Sequence, residues 1–174
     1  VIAGNADLGD EITAFRSALL AKPRDCAQVL ADVAEMRARL ASSKPGGAAL
    51  DIKTGPGRLQ DIELFAQAGA LLEGKGTRTL SDQLQSAICV FDVSSEEGEA
   101  LIEAANLFWR IQSAARLISK APLTSDATGA SAEAFLLRDL RIDSVAALSK
   151  EIAKTAASVA ALIDKVVGPP PSAY

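Results

Sequence analysis

The sequence predicts an all-α fold: a single bundle of about six to seven helices, closed by a long Ala-rich helix. Three observations carry that reading. The apolar residues repeat with helical spacing nearly throughout, and no segment alternates convincingly as a strand. Hydrophobic residues make up 49% of the 174 residues but aromatics only 4%. The core is therefore built from Ala, Leu, Val and Ile, which suits closely packed helices. The length is that of one ordinary domain with room for a real core.

Leu8, Ile12, Phe15 and Leu19 are spaced 4, 3 and 4 and give a first helix, ended near Pro23. Asp25 can cap a second, with Val29, Val33, Met36 and Leu40 on its inner face. A loop follows at 42–47, then at most a short extended piece at 50–54. The "GPG" at 55–57 breaks the chain before a third helix, 58–73, which ends at "EGKG". Thr79 with Asp82 marks the start of a fourth helix. The fifth is the longest, 95–119, acidic at its start and basic at its end. Leu101, Ala105, Phe108, Ile111, Ala115 and Ile118 form its stripe, and Trp109 is expected in the core beside Phe108 and Ile111. After a loop at 121–130 comes a short helix over 131–140. In the last helix, 144–167, Val145, Leu148, Ile152, Thr155, Val159, Leu162 and Val166 repeat in strict 3, 4 spacing. Its other faces are mostly Ala, which predicts a bundle helix. The helical domain is expected over 1–168, with a disordered tail at 169–174.

The net charge of −4 argues against a nucleic-acid partner. No apolar run reaches the roughly 20 residues that span a bilayer. The absence of histidine excludes a His general base, a Ser-His-Asp triad and a His-ligated metal within this chain. Cys26 and Cys89 share no metal-ligand spacing and read as free thiols in a reducing, cytoplasmic setting. The chain starts at Val1 without an initiator Met or a signal pattern, as a piece of a longer protein would.

Residues 51–72, "DIKTGPGRLQDIELFAQAGALL", stand apart. At 100° per residue Gln60, Glu63 and Gln67 form a narrow polar stripe, and Ile62, Phe65, Ala66, Gly69 and Leu72 cover the other side. Asp61 falls on an apolar face about 200° from Glu63, which is poor geometry for two ligands of one metal. Asp61 fits two roles: a fixed anion that orients a base or a neighbouring domain, or an acceptor for free N–H groups at the helix start. Glu63 and Gln67 read either as a solvated stripe or as a patch that docks a partner. Lys53 with Gly55 and Gly57 fits phosphate binding or simple helix punctuation. No residue is assigned a catalytic or metal-binding role.

"DIK…GPGRLQDIELFAQ" resembles the pattern D-[IL]-K-x-x-x-G-G-[ILM]-x-D-I-E-F-x-x-Q. That pattern belongs to the helical domain that follows each nucleotidyltransferase domain in bifunctional glutamine-synthetase adenylyltransferase/adenylyl-removing enzymes. A related version occurs in the PII uridylyltransferase, which resembles this chain only around the motif. "VIAGNADLGDEI", "KPRDCAQVLADVAEMRARL" with Met36-Arg37, the long helix and the closing helix also fit in order, so the resemblance covers the chain and points to the C-terminal helical domain. Arg58 stands where a second Gly is usual and Leu64 where Phe is usual. The family's catalytic Gly-Ser and Asp-x-Asp motifs do not occur here.

The resemblance implies a non-catalytic domain without a cofactor of its own, beside a nucleotidyltransferase domain that uses Mg²⁺ and ATP. It implies glutamine synthetase and the PII signal protein as partners. It also implies that Lys53, Gly57, Asp61, Glu63 and Gln67 lie at the seam with that domain or at the nucleotide edge. The competing reading is a free-standing helical interaction module with no enzymatic role.

Overall fold

In the computed structural model, which describes residues 4–43, 48–118 and 130–168, the described residues form seven α-helices and no strand. They are α1 (Ala6–Leu20), α2 (Cys26–Ser43), α3 (Leu59–Glu73), α4 (Leu80–Val90), α5 (Ser95–Ile118), α6 (Ala130–Leu140) and α7 (Val145–Val167). The expected tail at 169–174, residues 44–47 of the first loop and most of the loop at 121–130 lie outside the described residues.

Side-chain caps mark five of the helix starts. Asn5 accepts from the Leu8 N–H, Asp25 from Ala27, Thr79 from Asp82 and Ser144 from Ala147. Ser94 and Glu97 bond reciprocally at the start of α5, so Ser94-x-x-Glu97 is a capping box.

Helix α3 is the centre of the bundle and packs on α2, α4, α5 and α7. Its Ile62, Phe65 and Ala66 are fully buried, beside Phe108 of α5 and Leu148 and Ile152 of α7. The closest approach is to α4, where a Cβ on Gly69 would sit 2.2 Å from the Ala87 Cα. A glycine is needed there because two helix backbones touch. On α7 the buried line is Leu148, Ile152, Ala156, Val159 and Ile163, with Thr155 and Leu162 half-buried. The inner face thus follows the 3.6-residue turn of a straight helix rather than the 3.5-residue seam.

Two side chains and one helix face depart from the sequence reading. Met36 is 43% exposed, and Arg37 takes the inward place on α2. Trp109 is also 43% exposed, because it stands about 100° round the helix from fully buried Phe108. The α1 stripe forms as predicted but faces away from the bundle: Leu8, Ile12, Phe15 and Leu19 are all exposed, Phe15 at 70%. Only Gly9 of α1 is buried.

Candidate functional site at the entry to α3

The segment before α3 is built around backbone groups. A helix leaves its first N–H groups without partners. Here the chain doubles back, and the Leu59 and Gln60 N–H groups donate to the carbonyls of Ile52 and Lys53 at 3.0 and 3.1 Å. Leu50 and Ile52 anchor that piece in the core. Asp51 closes the turn. Its carboxylate accepts from the Lys53 N–H at 2.8 Å, the Thr54 N–H at 3.1 Å and the Thr54 hydroxyl. Burial pushes the Asp51 pKa up, but these bonds and the Arg58 charge outweigh it and hold it below the usual carboxylate value.

Gly57 follows with φ +66°, in the left-handed region. A Cβ there would lie 1.9 Å from the Ala156 carbonyl oxygen and 2.6 Å from the Ala160 nitrogen. So the turn lies directly on the backbone of α7. Arg58, at the unusual position, has φ −91° and ψ −179°, ordinary extended backbone. It strains nothing, and its guanidinium turns outward toward the Ala48 carbonyl.

Asp61 is 6% exposed and its two oxygens are fully engaged inside the protein. Arg37 Nε donates to one at 2.6 Å, and Arg37 Nη2 to the other at 3.0 Å. The Gly57 N–H donates to that second oxygen at 2.8 Å. Arg37 is 5% exposed and reaches further, donating to the Asp164 carboxylate and to the Gly168 carbonyl, both at 2.7 Å. One buried cation thus ties α2 to the start of α3 and the end of α7. Burial lowers the Arg37 pKa, but the bonds and charges of Asp61 and Asp164 outweigh that and raise it, so the guanidinium stays charged.

The five residues singled out from the sequence therefore divide. Gly57 and Asp61 point inward and shape the turn. Lys53 and Gln67 are exposed and Glu63 is half-buried. Burial raises the Glu63 pKa, and the nearby Lys53 charge opposes that. Arg37, Asp51 and Asp164 were not singled out. Arg37 does fall on the inner line of α2 with Val29, Val33 and Leu40, and a charge in an apolar line signals a buried partner. Among the described residues no three His, Cys, Asp or Glu side chains come together as a metal site. The Asp61 and Glu63 pair does not fit Mg²⁺, because Asp61 is occupied by Arg37. Among the described residues no helix is long and apolar enough to cross a membrane, and both cysteines are free and exposed.

A family model described as GlnD PII-uridylyltransferase matches residues 28–167. The likeness to uridylyltransferases thus runs far beyond the motif at 51–67, where the sequence reading confined it. The chain is 27% identical, over 97% of its length, to the bifunctional glutamine synthetase adenylyltransferase/adenylyl-removing enzyme of Rhodopseudomonas palustris. It is 32% identical over 74% of its length to that of Xanthomonas axonopodis, and 40% identical over 40% to that of Mesorhizobium japonicum. It covers 18%, 15% and 7% of those three relatives, so it spans less than a fifth of each. No solved structure matches the chain. By the match over 28–167, the chain belongs to the GlnD PII-uridylyltransferase family, as a helical domain like the one within bifunctional glutamine synthetase adenylyltransferase/adenylyl-removing enzymes.

Proposed function

We propose that this chain is the non-catalytic helical domain of a cytoplasmic enzyme that adenylylates glutamine synthetase with ATP and so regulates nitrogen assimilation. The observation that carries the reading is similarity along nearly the whole chain to a segment of those relatives. ATP and Mg²⁺ belong to a neighbouring nucleotidyltransferase domain, and this domain walls that active site. Lys53, Glu63 and Gln67 face the seam, while Gly57 and Asp61 hold the turn that presents them. Glutamine synthetase is the substrate and the PII signal protein the regulator that dock on the assembled enzyme. The uncovered α1 stripe supports a place inside a larger protein, since contiguous exposed apolar surface marks an interaction site.

Two measurements test this. The chain alone, given Mg²⁺, ATP and glutamine synthetase, transfers no AMP; transfer by the chain alone would overturn the non-catalytic reading. In the full-length protein, Lys53→Ala with Gln67→Ala lowers AMP transfer about tenfold, equivalent to about 1.4 kcal/mol of barrier. Both side chains are exposed, so the melting temperature stays put. Normal transfer by that variant would remove these residues from the seam.

A further inference from the structure

Helix α2 packs on the bundle through half-buried Leu30, Val33, Ala34, Ala38, Leu40 and Ala41. Its only buried residues are Val29 and Arg37. Helix α1 adds no buried side chain; it meets the bundle where Arg16 donates to the carbonyls of Gly76 and Thr77 and where Leu20 and Ala21 lie against the turn at Gly74 and Gly76. Arg37 is the one charged side chain of the α1–α2 arm that is buried. Arg37 spends four hydrogen bonds on three partners, two on Asp61 and one each on Asp164 and Gly168. Apolar contacts are non-directional and let a helix slide or rotate at small cost. A planar, bidentate guanidinium does not: it fixes tilt and rotation together. The same carboxylate that receives Arg37 also receives the Gly57 N–H, so the arm and the α3 entry turn share one anchor.

We infer that Arg37 is a positioning residue, which sets the angle of the α1–α2 arm against the α3 entry turn and thereby sustains AMP transfer by the whole protein. The inference rests on the proposed function for its reaction, but the fastening of the arm can be read separately. Arg37 touches no substrate. It acts through Asp61, Asp164 and the carbonyl of Gly168.

The test uses the full-length protein and three variants: Arg37→Met, Arg37→Met combined with Asp61→Asn, and Arg37→Lys. The double variant removes both buried charges, and the new amide oxygen still accepts from the Gly57 N–H. It is expected to melt close to wild type, since swapping a buried ion pair for neutral groups is often tolerated. Its α2 amides exchange with solvent about tenfold faster while those of α5 and α7 are unchanged. Its kcat for AMP transfer to glutamine synthetase falls about tenfold at an unchanged KM for ATP. Arg37→Lys keeps the charge without the fork and recovers part of the rate, and it serves should the double variant not fold. A double variant that exchanges and transfers like wild type would overturn the inference, leaving Arg37 a neutraliser of Asp61. Faster α2 exchange with full transfer would overturn it too, as would lost transfer with unchanged α2 exchange. A wild-type protein that transfers no AMP would instead sink the proposed function, and amide exchange would still decide whether Arg37 fixes the arm.

Discussion

Replacing Gly57 by Ala should cost the protein about 1–5 kcal/mol, from two separable sources. The first is conformational. Gly57 has φ +66°, and a left-handed residue with a Cβ costs roughly 1–2 kcal/mol. Part of that is recovered, since Ala restricts the unfolded chain by about 0.4–1 kcal/mol. The second is steric. The new Cβ would sit 1.9 Å from the Ala156 carbonyl oxygen, which must retreat about 1.5 Å to reach ordinary contact. That oxygen is helix backbone, and α7 is held by fully buried Leu148, Ile152 and Ile163. Overpacking of this kind costs about 1–3 kcal/mol.

Gly74→Ala separates the two sources. Gly74 also has a left-handed φ, +75°, but its Cβ would meet nothing closer than 3.4 Å. It carries the conformational cost alone, a net loss of roughly 0–1.6 kcal/mol. The assay is urea unfolding with thermal melting of both variants. At roughly 2–4 °C per kcal/mol for a chain of this size, Gly57→Ala should lower the midpoint by about 2–20 °C, and by more than Gly74→Ala. Equal losses in the two variants would refute the claim that the entry turn lies on the backbone of α7.

Three further outcomes are expected. Arg37→Met alone leaves Asp61 charged, buried and without its cation, and should cost about 3–5 kcal/mol in denaturant unfolding; adding Asp61→Asn should return most of it. Phe15→Ser on α1 should leave the stability of the 174-residue chain within about 0.5 kcal/mol, because the ring is 70% exposed; a loss as large as a core substitution would place α1 in the fold. Glu63 has a raised pKa because burial disfavours its charge, so it favours folding below its unfolded pKa and loses that contribution as pH rises through the folded value. Glu63→Gln should therefore stabilise at pH 7 by no more than about 0.5 kcal/mol, and the gain should vanish below about pH 4; melting curves of both proteins across that range decide it.

Much of the entry to α3 was legible as local chemistry. The chain break at Gly57, the placement of Asp61 on an apolar face and that of Gln67 on a polar stripe follow from neighbouring residues at one helix start. The role of Asp61 did not, because its cation lies 24 residues away in sequence and Asp164 lies 127 residues from that cation. Asp51 was passed over although Asp-x-x-Thr is a turn signal, since its partners are the next backbone N–H groups and its work is local. Trp109 and Met36 are exposed for different reasons. Trp109 stands beside apolar Phe108, and apolar identity does not say which of the two is buried, whereas Met36 yields the inward place to Arg37 because Asp61 and Asp164 meet that guanidinium.

The sequence by itself determined the seven helices of the described residues and their order, because period, caps and breakers act within a few residues of one another. It also determined the family, through a motif whose spacing is covalent. Only the tertiary structure decided which charges are internal, which faces meet and which stay open. Arg37 could be buried only because two carboxylates from distant helices converge on it, and the α1 stripe stays uncovered among the described residues because none of the described helices packs over it. Both are facts of distance in space, which the order of residues along a chain does not record.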